Sequence, residues 1–151
     1  MKIEMTTSAD KVMNEIAKQM KRREQVLVRQ LLYCAEQITN AARESSYSSK
    51  PFKDQTGNLR SSLGCIVAID GKVVNEVGFQ QTLNGSKGVK NGKEYIRKIL
   101  AEQFPKGIVL IAVAGMNYAG YVSAKGYDVL DSAELLAEKL VPQYLKQLGF
   151  R

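Results

Sequence analysis

The chain has 151 residues, of which 44% are hydrophobic and 25% charged, and its formal net charge is +7. This composition is typical of one globular domain spanning residues 1–151 and excludes a disordered or fibrous chain. No apolar run reaches the roughly 18 residues that cross a bilayer, and the N-terminus lacks the apolar stretch of a secretory signal. We therefore expect a protein that folds in a cytoplasm and has no membrane partner.

The chain contains no histidine. Its absence removes Ser–His and Cys–His nucleophiles, imidazole metal ligands and the ordinary proton shuttle near neutral pH. Cys34 and Cys65 lie in apolar stretches and are therefore predicted to be buried thiols. Two cysteines without histidine do not make a zinc site of the usual kinds. With 15 scattered acidic residues, we expect a protein that is not an enzyme and has no catalytic residues, metal or cofactor.

The first predicted element is a long helix at about 9–44. Its apolar residues recur every three or four positions, which is the period of one helix face. They include Val12, Ile16, Met20, Leu27, Leu31 and Ile38. A polar break at 21–24 interrupts this stripe and predicts that residues 1–22 form an arm that leaves the core and docks elsewhere.

Turn and strand signals follow the helix. Residues 45–58 have the composition of a loop. Two β-rich runs at about 63–69 and 72–79 are separated by Asp-Gly at 70–71, which favours a hairpin with a type I′ turn. Residues 80–92 are basic and rich in glycine and asparagine, and they predict a mobile loop.

The rest of the chain completes an α+β pattern. A short helix is predicted at about 94–104, ended by Pro105. The run 107–114 is apolar on both faces and predicts a central strand. An Asp-x-x-Glu capping box at 131–134 opens a C-terminal helix at about 131–147. The sequence thus predicts an antiparallel sheet, built on the hairpin and the central strand, with a long N-terminal and a C-terminal helix.

A basic chain favours an anionic partner such as nucleic acid. The candidates for contact with DNA or another anion are Lys87, Lys90, Lys93 and Arg97. Their surroundings are not a P-loop, because Glu94 follows Lys93 where that motif needs serine or threonine. An ordinary solvated surface is the alternative for these side chains.

Two short segments carry more specific patterns. Residues 56–63, Thr-Gly-Asn-Leu-Arg-Ser-Ser-Leu, predict a turn with an Asx-type bond, one helical turn and the entry to a strand. Residues 115–122, Gly-Met-Asn-Tyr-Ala-Gly-Tyr-Val, place two tyrosines on a turn after a buried strand. Tyrosines in this position suit protein contact, since each offers a large area and a hydroxyl. Packing beneath the sheet is the alternative.

The order of these features resembles the tail-completion, or head–tail joining, family of tailed phages, whose members are often called minor capsid or neck proteins. The shared pattern is an amphipathic N-terminal helix, (D)-x-T-G-x-L-R-x-S-[IL], a hairpin, and a strand leading into N-Y-A-x-Y-V. It covers roughly residues 30–145. The matching positions, candidates for family-motif and interface residues, are Thr56, Gly57, Leu59, Arg60, Ser62, Leu63, Asn117, Tyr118, Ala119, Tyr121 and Val122.

The resemblance implies an α+β protomer without catalysis or cofactor. It implies a ring of identical copies, such as a hexamer, between the head connector or head-closure protein and the tail tube or tail terminator protein. It places the chain in the virion of a phage or prophage, and in the host bacterial cytoplasm before assembly. Residues 123–130 depart from the family pattern, so interface details are not carried onto them. The alternative function is a basic nucleic-acid-binding module that uses residues 18–29 and 87–98.

Overall fold

The computed structural model describes residues 8–44 and 52–150. Over these ranges the chain forms five helices and three strands. They are α1 (Ala9–Glu44), α2 (Asn58–Ser61), β1 (Leu63–Ile69), β2 (Lys72–Gly78), α3 (Ser86–Gln103), β3 (Ile108–Ala114), α4 (Ala119–Ala124) and α5 (Asp131–Gln147). The predicted α+β class is confirmed, with its long N-terminal helix, antiparallel sheet and C-terminal helix.

The three strands form one antiparallel sheet in the order β2-β1-β3. β1 is therefore the central strand, and the prediction that residues 107–114 are central is wrong. β3 lies at an edge of the sheet. Its side chains are apolar in both directions because helices lie on both faces of the sheet, and a continuous apolar run reflects that cover rather than the number of neighbouring strands.

β1 is buried on both faces. The side chains of Leu63 and Cys65 pack with α1 and α5, whereas those of Ile66 and Ala68 pack with α3. This alternation follows from the period of two along a strand. The protein therefore has three layers, with α1 and α5 on one side of the sheet and α3 on the other.

The predicted hairpin is confirmed. Asp70 and Gly71 join β1 to β2 with φ values of 49° and 78°, the positive values that a type I′ turn needs. The β1–β2 register shifts at a bulge, where Val74 has no partner on β1. β2 ends at Gly78, one residue earlier than predicted, and the next residue, Phe79, is buried.

α3 begins eight residues before the helix predicted at 94–104, and more than half of the predicted mobile loop at 80–92 is helical. The reason lies in Gly88 and Gly92, which are one turn apart and buried. A Cβ at Gly88 would overlap the backbone carbonyl of Asn58 on α2. These glycines allow α3 to approach the neighbouring backbone closely, and they do not form a loop.

We predict that Gly88→Ala lowers the free energy of unfolding by about 2 kcal/mol, because overpacking outweighs the gain of about 1 kcal/mol in helix propensity. The matched control is Gly120→Ala on α4, where an added Cβ has no neighbour within 4 Å. That variant is expected to keep or slightly raise stability. Thermal unfolding followed by circular dichroism measures both, and equal midpoints would contradict close packing at Gly88.

The first half of α1 extends past the rest of the protein. Ser8 Oγ accepts a hydrogen bond from the Lys11 backbone N–H at 3.3 Å and caps the helix. Every residue from 8 to 26 is exposed, whereas Leu27 and later residues contribute side chains to the core. We call residues 9–26 the overhang.

α5 begins with a different cap from the one predicted. The Asp128 carboxylate accepts a hydrogen bond from the Ser132 backbone N–H at 3.1 Å. The capping carboxylate thus lies three residues before the first helical residue, and the capping box at 131–134 is wrong. α5 packs along α1, where the rings of Tyr33 and Tyr144 meet edge to face at 5.7 Å.

Both cysteines are buried and unpaired, as predicted. Burial raises the pKa of each thiol. For Cys65 burial raises the pKa from 9.0 to about 11. Cys65 is therefore a neutral thiol at every physiological pH.

This shift predicts a loss of stability at high pH. Because the folded pKa of Cys65 lies above its unfolded value of about 9, its contribution is fully present below pH 9 and is lost as pH rises towards 11. The loss is at most about 1.4 kcal/mol per pH unit across this window. Urea unfolding from pH 8 to 11 should show a steeper decline for the unsubstituted protein than for Cys65→Ala. Parallel declines would contradict the assignment.

Candidate functional site

The first motif segment is built around the carboxylate of Asp54. Its Oδ1 accepts a hydrogen bond from the Gly57 N–H at 3.0 Å, and its Oδ2 accepts one from the Arg60 N–H at 2.7 Å. Thr56 Oγ1 accepts a longer bond from the Asn58 N–H at 3.3 Å. These bonds close the turn and satisfy N–H groups at the start of α2. The Asx-type bond predicted within residues 56–63 is wrong in its place, because Asp54, outside that segment, closes the turn, whereas the Asn58 side chain accepts from the Gly88 N–H.

Three motif residues support this segment from inside. Gly57 has φ 79°, and a Cβ there would overlap the Thr82 carbonyl oxygen. Leu59 is buried in the core. The hydroxyl of Ser62 is also buried and donates to the Leu59 carbonyl at 2.7 Å. Gly57, Leu59 and Ser62 are therefore buried residues that support the surface from beneath.

A partly buried arginine ties α1 to the same segment. The Arg43 guanidinium donates to the carbonyl oxygens of Arg60 at 2.9 Å and Gln80 at 3.1 Å, and to Thr82 Oγ1 at 3.2 Å. Burial, and then the charge of Arg60, lower the pKa of Arg43. The Arg60 guanidinium in turn lies 5.6 Å from the centre of the Phe52 ring, within the range of a cation–π contact.

The second motif segment passes from the end of β3 into α4, a short helix at a place where the sequence predicts a turn. Met116 and Ala119 point inward and are each 7% exposed. Tyr118 and Tyr121 are 37% and 63% exposed, and Asn117 is exposed as well. The tyrosines therefore lie on the surface, and packing beneath the sheet is wrong for them.

The two segments meet at Tyr118. Burial and the Asp54 carboxylate raise the pKa of Tyr118, and a hydrogen bond with Thr56 lowers it. The Tyr118 hydroxyl is consequently neutral at pH 7 and can donate a hydrogen bond. A backbone bond from the Gly115 N–H to the Ser62 carbonyl at 3.2 Å links the segments beneath this contact.

Two adjoining clefts open at this junction, with volumes of about 470 and 440 Å³. Lys87, Met116 and Asn117 line both of them. The first cleft also includes Lys53, Asp54, Gln55, Thr56, Asn58, Leu59, Tyr118 and Val122. We call the exposed motif residues Thr56, Asn117, Tyr118 and Tyr121 the tyrosine patch.

The four basic candidates lie on α3 and not on a flexible loop. Lys93 Nζ is 2.9 Å from Glu76 Oε1, and Arg97 Nη2 is 3.6 Å from Glu76 Oε2. Lys87 lines the clefts and Lys90 is exposed. Glu76, on β2, therefore offsets part of the positive charge that these four residues were predicted to offer to an anion.

Three residues that shape the site were not singled out from the sequence. Asp54 had a local signal, because it stands two residues before Thr-Gly in the motif. Arg43 and Gly88 had no local signal, because their partners are distant in the sequence. Arg43 donates to the Arg60 carbonyl, 17 residues away. The Gly88 N–H donates to the Asn58 side chain, 30 residues away, at 3.1 Å.

No family model, curated protein or solved structure matches the chain. Within residues 8–44 and 52–150, no group of three or more histidine, cysteine, aspartate or glutamate side chains is placed to hold a metal ion. No helix in the described part of the chain is long and apolar enough to cross a membrane.

Asp54→Ala removes two charge-assisted hydrogen bonds and is expected to lower the free energy of unfolding by about 2 kcal/mol. Hydrogen exchange at the Gly57 and Arg60 amides should accelerate more than elsewhere, because these amides lose their acceptor. Gln55→Ala, at the exposed neighbouring position, is the control and should change neither quantity. Unchanged protection at both amides in Asp54→Ala would contradict this account.

Proposed function

We propose that the chain is a structural protein of the neck of a tailed phage or prophage, where a ring of its copies joins the head connector to the tail. One observation carries the proposal. The two segments on which the family resemblance rests, 56–63 and 115–122, are more than fifty residues apart in the sequence. They meet at one end of the sheet and form the tyrosine patch between them.

The motifs contain both buried residues that hold them in place and exposed residues that face outward, and this combination supports the proposed function. Gly57, Leu59, Ser62 and Ala119 are buried and hold the two segments in place, while the tyrosine patch is presented outward. A binding surface requires this combination, because exposed side chains bind well only when a rigid scaffold positions them. Tyrosine is also among the residues most enriched at the centres of protein interfaces.

The protomer also presents two separate surfaces for contact, the tyrosine patch and the apolar face of the overhang, so that one can bind a neighbouring copy while the other binds a different protein. Contacts between dissimilar surfaces of identical copies repeat in one direction and generate rings when the rotation closes. A ring leaves its upper and lower faces for other proteins. The expected neighbours are the head connector or head-closure protein on one side and the tail tube or tail terminator protein on the other.

The nucleic-acid-binding alternative has less support. Both Lys93 and Arg97 pair with Glu76, so the predicted basic group is partly neutralised. Titration of duplex DNA at low and moderate salt measures this alternative directly. Binding that falls steeply with salt, and that weakens in the Lys87→Ala/Lys90→Ala double variant, would favour a DNA module over a neck protein.

We predict that deleting the gene from the phage or prophage genome that encodes it yields filled heads and separate tails, as seen by negative-stain electron microscopy. Wild-type protein supplied in trans should restore tailed particles. Normal yields of tailed, infectious particles from the deletion would refute the proposed function.

Within that assay we predict that Tyr121→Ala greatly lowers the yield of tailed particles without unfolding the protein. The loss of one interface tyrosine costs about 2 kcal/mol of binding, or roughly 30-fold in affinity. Phe104→Ala is the matched control, because Phe104 is an exposed aromatic residue outside the tyrosine patch. Equal yields from the two variants would remove Tyr121 from the interface.

A further inference from the structure

The overhang presents an apolar stripe to solvent. It is 18 residues long, about 27 Å at the rise of an α-helix. Val12, Met13, Ile16 and Met20 are between 40% and 66% exposed and lie on one face of the helix. This spacing is that of the anchor residues in helices that bind in grooves of partner proteins. Ile108 and Phe150 of the same chain adjoin the stripe at Met20, whereas the side chains of Val12, Met13 and Ile16 are 40%, 64% and 48% exposed.

The same chain carries a groove of matching character. It lies between α1, β3 and α5 and has a volume of about 600 Å³. Its lining is almost wholly apolar, with Glu134 as the charged member. Leu27 and Leu31 of α1, Ile108 and Leu110 of β3, and Ala137 and Val141 of α5 are among its lining residues.

The stripe and the groove are related through α1 itself. Leu27 and Leu31 line the groove, and they continue the helix face that carries Ile16 and Met20. The overhang therefore has the same residue spacing as the part of α1 that already packs on α5 and β3. At the junction, the Arg23 guanidinium lies 5.9 Å from the Phe150 ring centre.

We propose that the overhang of one copy lies in the groove of a second copy, with the stripe facing the groove lining. Charge supports a second copy as the occupant. Two copies of a +7 chain repel each other, but residues 126–138 contain four acidic side chains and no basic one. This stretch includes the first half of α5, where Glu134 lines the groove and Asp131 and Glu138 lie on the same helix. The overhang, in turn, has five basic side chains against three acidic ones and includes the basic run at 21–23, so the two surfaces are complementary.

The size of the contact indicates how the copies associate. A stable interface uses roughly 20–30 residues on each side, which is more than the overhang provides. One contact is therefore weak. In a ring each copy makes two such contacts, one through its overhang and one through its groove, so assembly is steeply concentration-dependent. The inference that these contacts close into a ring rests on the proposed function, whereas the contact between two copies does not.

Disulfide crosslinking tests the contact. The variant carries Ile16→Cys on the stripe and Ala137→Cys in the groove. Ile16 lies eleven residues before Leu27, about 16 Å along the helix axis. A disulfide needs Cα atoms within about 7 Å, so the engineered pair forms between copies and not within one. The native Cys34 and Cys65 are 0% and 1% exposed and do not compete.

The matched control replaces Ile16→Cys by Lys18→Cys, on the opposite face of the same helix, and keeps Ala137→Cys. Mild oxidation of the purified full chain should crosslink the stripe variant at least about tenfold more than the control. Adding Met20→Glu, at a side chain 66% exposed, should lower the crosslinked fraction by a similar factor without unfolding the protein, because it would bury an unpaired charge.

The products also separate this proposal from the proposed function. A ladder of covalent multimers supports both the contact and a ring. Covalent dimers alone support the contact and contradict a ring, since they mean that two copies exchange overhangs reciprocally. Equal crosslinking of the stripe variant and the control at the highest soluble concentration overturns the contact, whatever the phage experiments give.

Discussion

Close approach of α3 to α2 and to the end of β3 is the constraint on which the candidate site depends. Gly88 faces the Asn58 backbone, and an added Cβ at Gly92 would lie 2.7 Å from the Ser62 carbonyl oxygen and from the Phe79 ring. A Cβ at Gly115 would overlap the backbone of Gly92. Because no side chains separate these backbones, the two motif segments come within hydrogen-bonding distance of each other. Larger residues here would separate the clefts and divide the tyrosine patch.

Charged groups hold this arrangement from within. Asp54 satisfies two backbone N–H groups, and Arg43 satisfies two carbonyl oxygens and a hydroxyl. These polar contacts order a segment that has little regular structure of its own, since buried or half-buried backbone groups need partners. The outward-facing side chains include tyrosines and the apolar stripe of the overhang. The protein thus uses charge to fix loops and leaves apolar area free for contact with other molecules.

The sequence predicted the features that depend on local pattern. Helical periodicity located α1 and α5, and Asp70-Gly71 located the hairpin, because turn chemistry and period are properties of neighbouring residues. The sequence did not predict the start of α3, because Gly88 and Gly92 indicate a loop unless their packing partners are known. The sequence also placed β3 at the centre of the sheet, because a run of apolar residues indicates that both faces of a strand are covered and does not indicate how many strands flank it. The contact between the motif segments is long-range and had no local signal beyond the family resemblance.

One continuous helix connects the core to the overhang. An isolated helix of this length is marginal in water because its first turn is difficult to nucleate. Here residues from Leu27 onwards are fixed by the sheet and α5, so the overhang extends from turns that are already formed. Its backbone is ordered before any partner arrives. Binding through the overhang would therefore lose little conformational entropy and could be fast, unlike binding through a segment that must fold on its partner.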